Sequence, residues 1–210
     1  MTVLLTGFEP FDGQPVNASW AAVTEVGRCW SGPEALVTAQ LPVSFTRAPE
    51  RLRALIVEHR PTLVVAVGEA GGRGRVSIER VGINVQDARI PDEDGAQPVD
   101  VPVLPGAPTA YFSSLPIKAA LLAVQDVGVP VEVSNTAGTY VCNTIAFALA
   151  HELATTGARG GFVHVPRLPE QMPTGQPSLS AELSGRALTA VIESALAHPV
   201  DVPMAAGAEH

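Results

Sequence analysis

The chain has 210 residues, of which 46% are hydrophobic, so it can bury the core of one sizeable domain. Its formal net charge of −8 disfavours binding to nucleic acid or to an anionic membrane, because both are themselves negatively charged. The first residues lack the basic region and unbroken apolar run of a signal peptide, and no stretch approaches the roughly 20 apolar residues of a membrane span. We therefore expect a soluble cytoplasmic protein whose two cysteines, Cys29 and Cys142, stay reduced.

Hydrophobic patterning predicts strands and helices that alternate along the chain. Strands are predicted at 3–6, 63–67, 76–84, 129–134 and 161–165, and helices at 19–26, 46–60, 115–127, 141–155 and about 180–197. Residues 88–114 are rich in Pro, Gly and Asp and predict a long surface loop. This alternation is typical of an α/β protein and predicts a single three-layer α/β/α sandwich over residues 1–198, followed by a frayed tail at 199–210.

Cys142 lies where a short β-branched strand and a glycine-containing turn lead into a helix. Thr139 is the predicted N-cap, which places Cys142 in the first helical turn. Unpaired N–H groups and the positive end of the helix dipole favour an anion there, so the pKa of the thiol is expected to fall. This is the geometry of a nucleophile elbow, with backbone N–H groups available for an oxyanion. The same residues also allow Cys142 to be a small buried apolar side chain.

A cysteine nucleophile needs a base and a third group that orients the base. His164, within the predicted strand GFVHV, is the best candidate base, although it could instead be a core histidine bonded to a backbone carbonyl. Glu79 is a charge inside an apolar stretch and is the candidate third member. Its alternative partners are the neighbouring cations Arg75 and Arg80.

Motifs of several other enzyme classes are missing from the sequence. It contains no Gly-Lys pair of a P-loop, no G-x-S-x-G, no dinucleotide fingerprint in its first turn and no zinc-ligand spacing. These absences disfavour redox, NTP-dependent and structural-zinc functions. Hydrolysis by a cysteine nucleophile and its base needs no metal or organic cofactor, and we expect none.

Four long segments resemble the pyroglutamyl peptidase I family of cysteine peptidases. They read TGFEPFDG, VGEAGGRGRVSIERVGINVQDARIPDEDG, VSNTAGTYVCN and GFVHVPRLPEQ, and occur in the family's order between residues 4 and 171. The resemblance implies a catalytic triad of Cys142, His164 and Glu79 and a central mixed, mostly parallel sheet. It also implies peptides with an N-terminal pyroglutamate as substrates and a homo-oligomer, commonly a tetramer.

The resemblance assigns further residues around the substrate. It implies that Arg89 lies near the oxyanion and that Phe8, Phe11, Tyr140 and Val141 contact the substrate. Tyr140 stands where many members have Phe, which would add a hydroxyl beside the nucleophile. Glu69 stands where several members carry Gln or an apolar residue. Because a neutral lactam gains nothing from an extra anion, this departure bears on substrate affinity, and it does not touch the triad.

Two alternatives belong to other functional classes. A nucleoside phosphorylase-like enzyme on a similar scaffold would use GEAGGRGR as a phosphate site. A non-catalytic protein would keep the pyroglutamyl pocket without turnover, which the complete triad disfavours.

Overall fold

A six-stranded sheet forms the centre of the computed structural model, which describes residues 1–207. The strands of the described residues are β1 (Thr2–Phe8), β2 (Ala35–Leu41), β3 (Leu63–Ala70), β4 (Val76–Glu79), β5 (Val81–Ile83), β6 (Ala110–Phe112), β7 (Val131–Ser134) and β8 (Arg159–Pro166). The central sheet has the order β2-β1-β3-β8-β4-β7, and β5 pairs with β6 separately. All neighbours in the central sheet are parallel except β4 and β8, which confirms a mixed, mostly parallel sheet.

Helices cover both faces of this sheet. They are α1 (Ala18–Cys29), α2 (Arg47–His59), α3 (Ile117–Asp126), α4 (Val141–Leu153) and α5 (Ala181–Ala197). The apolar faces of α1, α3 and α5 share one hydrophobic cluster with the sheet, whereas those of α2 and α4 share another. Because successive strand residues point to opposite faces, β3 contributes Val65 and Val67 to the first cluster and Val64 and Ala66 to the second. The three-layer α/β/α sandwich is thus confirmed.

Strand β2 was not predicted from the sequence. It lies at the edge of the sheet, paired only with β1, and within it only Ala39 and Leu41 are buried. An edge strand whose residues are mostly exposed or half-buried lacks the continuous apolar run that predicts the strand at 63–67.

The extended segment predicted at 76–84 is divided at Arg80. Its first half joins the central sheet as β4, and its second half, β5, leaves to pair with β6 and pack on α4. A Cβ atom on Gly82 would lie 2.6 Å from the backbone nitrogen of Phe147, so only glycine permits this close approach of β5 to α4. Strand β6 also adds a short ordered element within the predicted loop at 88–114.

The prediction of a frayed tail is wrong as far as residue 207, because this segment contacts the domain. Asp201 accepts hydrogen bonds from the backbone N–H groups of Lys118 (3.1 Å) and Ala119 (3.0 Å) at the start of α3. This helix needs an outside carboxylate because it follows Pro116, which provides no side-chain cap. Met204 and Ala206 pack against the core, so the tail is tied to the domain; residues 208–210 lie outside the described residues.

None of the helices within residues 1–207 combines the length and apolarity needed to cross a bilayer.

Candidate active site

Cys142 is the second residue of α4 and lies in its first turn, as the sequence predicts. The predicted N-cap is wrong, because the Thr139 hydroxyl donates to the backbone carbonyl of Asp87 (2.8 Å) instead of closing the helix. Tyr140 occupies the N-cap position and makes no side-chain capping bond. No capping side chain therefore accepts a hydrogen bond from the first N–H groups of the turn that carries the thiol. These groups are available to bind an anion from outside the helix.

Strand register brings His164 and Glu79 together. Within the antiparallel pair, Ser77 of β4 stands opposite His164 of β8, and Glu79 lies two residues further along on the same face. Oε1 of Glu79 lies 2.7 Å from Nδ1 of His164. Both side chains are almost fully buried, with exposed fractions of 1% and 5%. Because Nδ1 contacts the carboxylate in this diagonal pair, Nε2 is the ring nitrogen that does not contact it.

Arg73 is the cation that pairs with Glu79, rather than Arg75 or Arg80. Its Nη1 donates to Oε1 of Glu79 at 2.7 Å, and its Nη2 donates to the carbonyl of Thr136 at 3.1 Å. Arg80 instead donates to the side-chain oxygen of Asn135, and Arg75 is exposed. Arg73 was not predicted from the sequence because it lies in an irregular glycine-rich loop, where hydrophobic periodicity does not indicate which way a side chain points.

The pKa of the Cys142 thiol is raised to about 12, not lowered as expected. Burial is the largest cause, followed by the negative charges of Glu79 and Glu69, whereas Arg73 and the thiol's own backbone N–H act in the opposite direction. Desolvation thus outweighs the helix terminus. The resting thiol is protonated at neutral pH, so its use as a nucleophile requires a base within the site.

A cavity of about 360 Å³ opens beside the thiol. It brings together seven of the eight residues that the sequence singled out for chemistry and binding, namely Phe8, Phe11, Arg89, Tyr140, Val141, Cys142 and His164. The eighth, Glu79, lies behind His164 and does not line the cavity. Phe8 is 3% exposed and packs near Phe162, with ring centroids 6.5 Å apart, whereas Phe11 is half-buried. Arg89 is exposed at the rim.

The hydroxyl of Tyr140 does not serve the nucleophile. It donates to the carbonyl of Pro91 at 3.0 Å, which ties the ring to the loop after Arg89. Its ring meets Phe45 edge-on at 5.2 Å and Phe11 at 6.3 Å between centroids. Burial, with Asp92 as the next cause, raises the pKa of Tyr140 to about 12, so the ring presents a neutral wall.

Glu69 borders the cavity, but its carboxylate is fully engaged. Oε1 accepts from Nε of Arg167 (2.9 Å), and Oε2 accepts from the backbone N–H of Ala18 (2.8 Å) and from Nε2 of Gln171 (2.9 Å). Glu69 therefore does not present an unpaired anion to the cavity. The carboxylate instead joins β3 to the first residue of α1 and to the segment after β8.

A cysteine at a helix N-terminus, a histidine and a buried carboxylate around a cavity on an α/β/α sandwich form the arrangement of a cysteine hydrolase. Comparison with known proteins narrows this class. The chain belongs to the pyroglutamyl peptidase family, whose model matches residues 1–198.

Relatives resemble the chain over almost its whole length. The pyrrolidone-carboxylate peptidase of Clavibacter michiganensis is 50% identical over 208 residues, covering 98% of each chain, and that of Klebsiella pneumoniae is 48% identical, covering 99% of each. Pyroglutamyl peptidase I from Bacillus amyloliquefaciens superposes with a TM-score of 0.91 at 42% identity, covering 96% of this chain and 99% of the other. These matches confirm the resemblance and give no support to a nucleoside phosphorylase-like enzyme.

Proposed function

We propose that this chain is a cysteine-type omega peptidase that hydrolyses the amide bond after an N-terminal pyroglutamyl residue. The observation that carries the proposal is the convergence of three separate elements: Cys142 and His164 line one cavity, and Glu79 contacts His164 from behind. Membership of the pyroglutamyl peptidase family supports the substrate class.

The walls of the cavity suit an uncharged ring. Pyroglutamate presents a five-membered lactam in place of the cationic amine that ordinary aminopeptidases bind. Phe8, Phe11 and Tyr140 offer aromatic surface, Val141 offers aliphatic surface, and the nearby carboxylate of Glu69 is paired with Arg167. An apolar, nearly neutral enclosure favours such a lactam and penalises a free ammonium group, which would lose its hydration without gaining an unpaired anion.

The first half of the proposed reaction forms a thioester. His164 removes the thiol proton through Nε2 while the sulfur of Cys142 attacks the pyroglutamyl carbonyl carbon. Uncapped N–H groups of the first turn of α4, together with Arg89 at the rim, stabilise the oxyanion. The imidazolium then gives its proton to the departing amine as the C–N bond breaks, and Glu79 stabilises that cation through Nδ1–H.

Hydrolysis of the thioester completes the cycle. Water enters after the shortened peptide leaves, His164 removes one of its protons, and the resulting hydroxide attacks the acyl carbon. The C–S bond breaks, the sulfur recovers a proton from the imidazolium, and pyroglutamate is released. These steps use side chains of this chain and water, and draw on no metal or organic cofactor.

Three further features belong to the same proposal. Residues 1–198 form the peptidase domain, matching the extent of the family similarity. The protein assembles as a homo-oligomer, a tetramer by resemblance to the family, and works in the cytoplasm, where its two cysteines stay reduced. Its partners are peptides that begin with pyroglutamate.

Parallel assays with pyroglutamyl and prolyl p-nitroanilide test the function. The two substrates differ at the ring, where the prolyl compound replaces the lactam with a cationic amine. We expect turnover of the pyroglutamyl amide alone, independent of phosphate and abolished by iodoacetamide. A folded protein that binds the pyroglutamyl amide without cleaving it would instead be a binding protein, and equal cleavage of both amides would reject the lactam pocket.

A further inference from the structure

Arg73 joins three parts of the site that lie on different elements. Its Nη1 donates to Oε1 of Glu79, the same oxygen that contacts His164, and both distances are 2.7 Å. Its Nη2 donates at 3.1 Å to the carbonyl of Thr136, in the loop between β7 and the helix that carries Cys142. One planar guanidinium thus spans the carboxylate and the approach to the nucleophile, a geometry that a lysine ammonium does not reproduce.

The burial of Glu79 makes a counter-charge necessary. Its side chain is 1% exposed, and within residues 1–207 its Oε2 atom has no hydrogen-bond partner. A buried carboxylate with one free oxygen is costly to ionise unless a cation stands beside it. Arg73 meets that need from the cavity side, because its side chain lines the cavity and is 28% exposed.

Charge balance around the thiol also depends on Arg73. The ionisable groups that border the cavity or face the thiol are Glu69, Glu79, Arg73, Arg89, Tyr140 and His164. The carboxylate of Glu69 is neutralised by Arg167 and that of Glu79 by Arg73. With both acids paired, a proton that moves from Cys142 to His164 creates one anion and one cation and leaves the net charge of the site unchanged.

The geometry points to Arg73 as a positioning residue, which holds the Glu79 carboxylate against His164, ties that pair to the loop before Cys142, and supplies the positive charge that offsets Glu79 when the thiol ionises. The inference rests on the proposed function for its kinetic consequences. Its electrostatic consequence concerns the thiol alone, whose pKa the charge of Arg73 lowers. Loss of Arg73 leaves an unpaired Glu79 charge that opposes the thiolate.

The test measures the rate at which iodoacetamide alkylates Cys142 between pH 6 and 10, in a Cys29→Ser background so that only one thiol reacts. Arg73→Met is compared with Arg75→Met, a control that removes an exposed arginine two residues away. Because this pH range lies below the thiol pKa of about 12, the rate at each pH follows the fraction of thiolate, and we expect Arg73→Met to lower that rate about tenfold or more. We also expect it to lower kcat about tenfold or more with KM within about threefold, because the contact acts through Glu79 and His164. The control should change neither quantity.

Arg73→Lys separates charge from geometry and replaces Arg73→Met if that variant fails to fold. Lysine keeps the charge but reaches Glu79 or Thr136, not both, so we expect an alkylation rate close to the parent's and a kcat that stays reduced. A purely structural ion pair would lower the melting temperature while leaving the alkylation rate and kcat unchanged; that result in either folded variant overturns the inference. Alkylation needs no substrate, so slower alkylation of Arg73→Met in a protein without peptidase activity would support the role of Arg73 while rejecting the proposed function.

Discussion

Gly68 leaves the space that the thiol of Cys142 occupies. A Cβ atom on Gly68 would lie 2.8 Å from Sγ of Cys142 and 2.7 Å from the ring of Phe162. Gly68 pairs with His164 in the register of β3 and β8, so the missing side chain stands directly beside the candidate base. A strand glycine of this kind marks a close approach, here by a side chain from α4.

Gly68→Ala should therefore damage both stability and catalysis. The added methyl group must displace the thiol or the Phe162 ring, and such overpacking costs about 1–3 kcal/mol. We expect a melting temperature several degrees lower and a kcat about tenfold lower or more, because the sulfur moves away from its attack position. Gly157→Ala is the matched control, since a Cβ there meets nothing within 4 Å. Unchanged kcat in Gly68→Ala would mean that the thiol position is not critical.

Cys142→Ser should abolish turnover, whereas Cys29→Ser should leave it largely intact. Cys142 opens α4 beside the cavity, and Cys29 is exposed at the far end of α1. Loss of a nucleophile costs several orders of magnitude in kcat. Peptide mapping after partial inactivation by iodoacetamide checks the assignment independently. Inactivation that follows the labelling of Cys29 rather than Cys142 would show that the nucleophile is assigned wrongly.

Glu79→Gln should reduce kcat less than His164→Ala does. The amide oxygen of glutamine still accepts from Nδ1–H of His164 and from Arg73, so the ring orientation is retained while the stabilisation of the imidazolium is lost. Removing the imidazole eliminates proton transfer, a loss of about 10²- to 10⁴-fold. Thermal melting must first show both variants to be folded. A folded Glu79→Gln enzyme with the parent kcat would remove Glu79 from the triad.

Residues in regular elements could be assigned from the sequence, because periodicity states which way a side chain points. Cys142 follows from a strand, a turn and a helix, and His164 from an apolar strand. Arg73 could not be found in this way, since its partner is set by the path of an irregular loop. The lowered pKa that the sequence predicts for the Cys142 thiol is also wrong, because the pKa is raised. Local sequence reveals the helix terminus but not the burial and the two distant carboxylates that outweigh it.

Stability should fall between about pH 9 and 12 because of the Cys142 thiol. Its pKa is raised from 9.0 to about 12 in the folded state, so the fold favours the protonated thiol. The resulting stabilisation is complete below pH 9, where the unfolded thiol also keeps its proton, and is lost as the pH rises towards 12. Urea unfolding at pH 8 and pH 10.5 should show a smaller loss for Cys142→Ser than for the parent. Tyr140→Phe controls for the phenol, whose pKa is likewise raised to about 12. Parallel losses in the parent and Cys142→Ser would contradict the raised pKa of the thiol.

Phe8 and Phe11 should respond differently to truncation although both line the cavity. Phe8 is 3% exposed and belongs to the hydrophobic cluster under α2 and α4, so Phe8→Ala should mainly destabilise the fold, by about 3–5 kcal/mol. Phe11 is half-buried on a loop and contacts the ring of Tyr140, so it has more of its surface available to a substrate.

Phe11→Ala should raise KM for pyroglutamyl amides with a smaller change in kcat. Phe11 would contact the lactam equally in the ground state and the transition state, and such uniform binding appears in KM. Loss of one pocket wall removes about 1–3 kcal/mol of contact, or about 10- to 200-fold in kcat/KM. Alkylation of Cys142 should proceed at the parent rate, because no residue of the proposed triad has changed. An unaltered KM in a folded but less stable Phe11→Ala protein would place Phe11 in the core and withdraw it from the pocket.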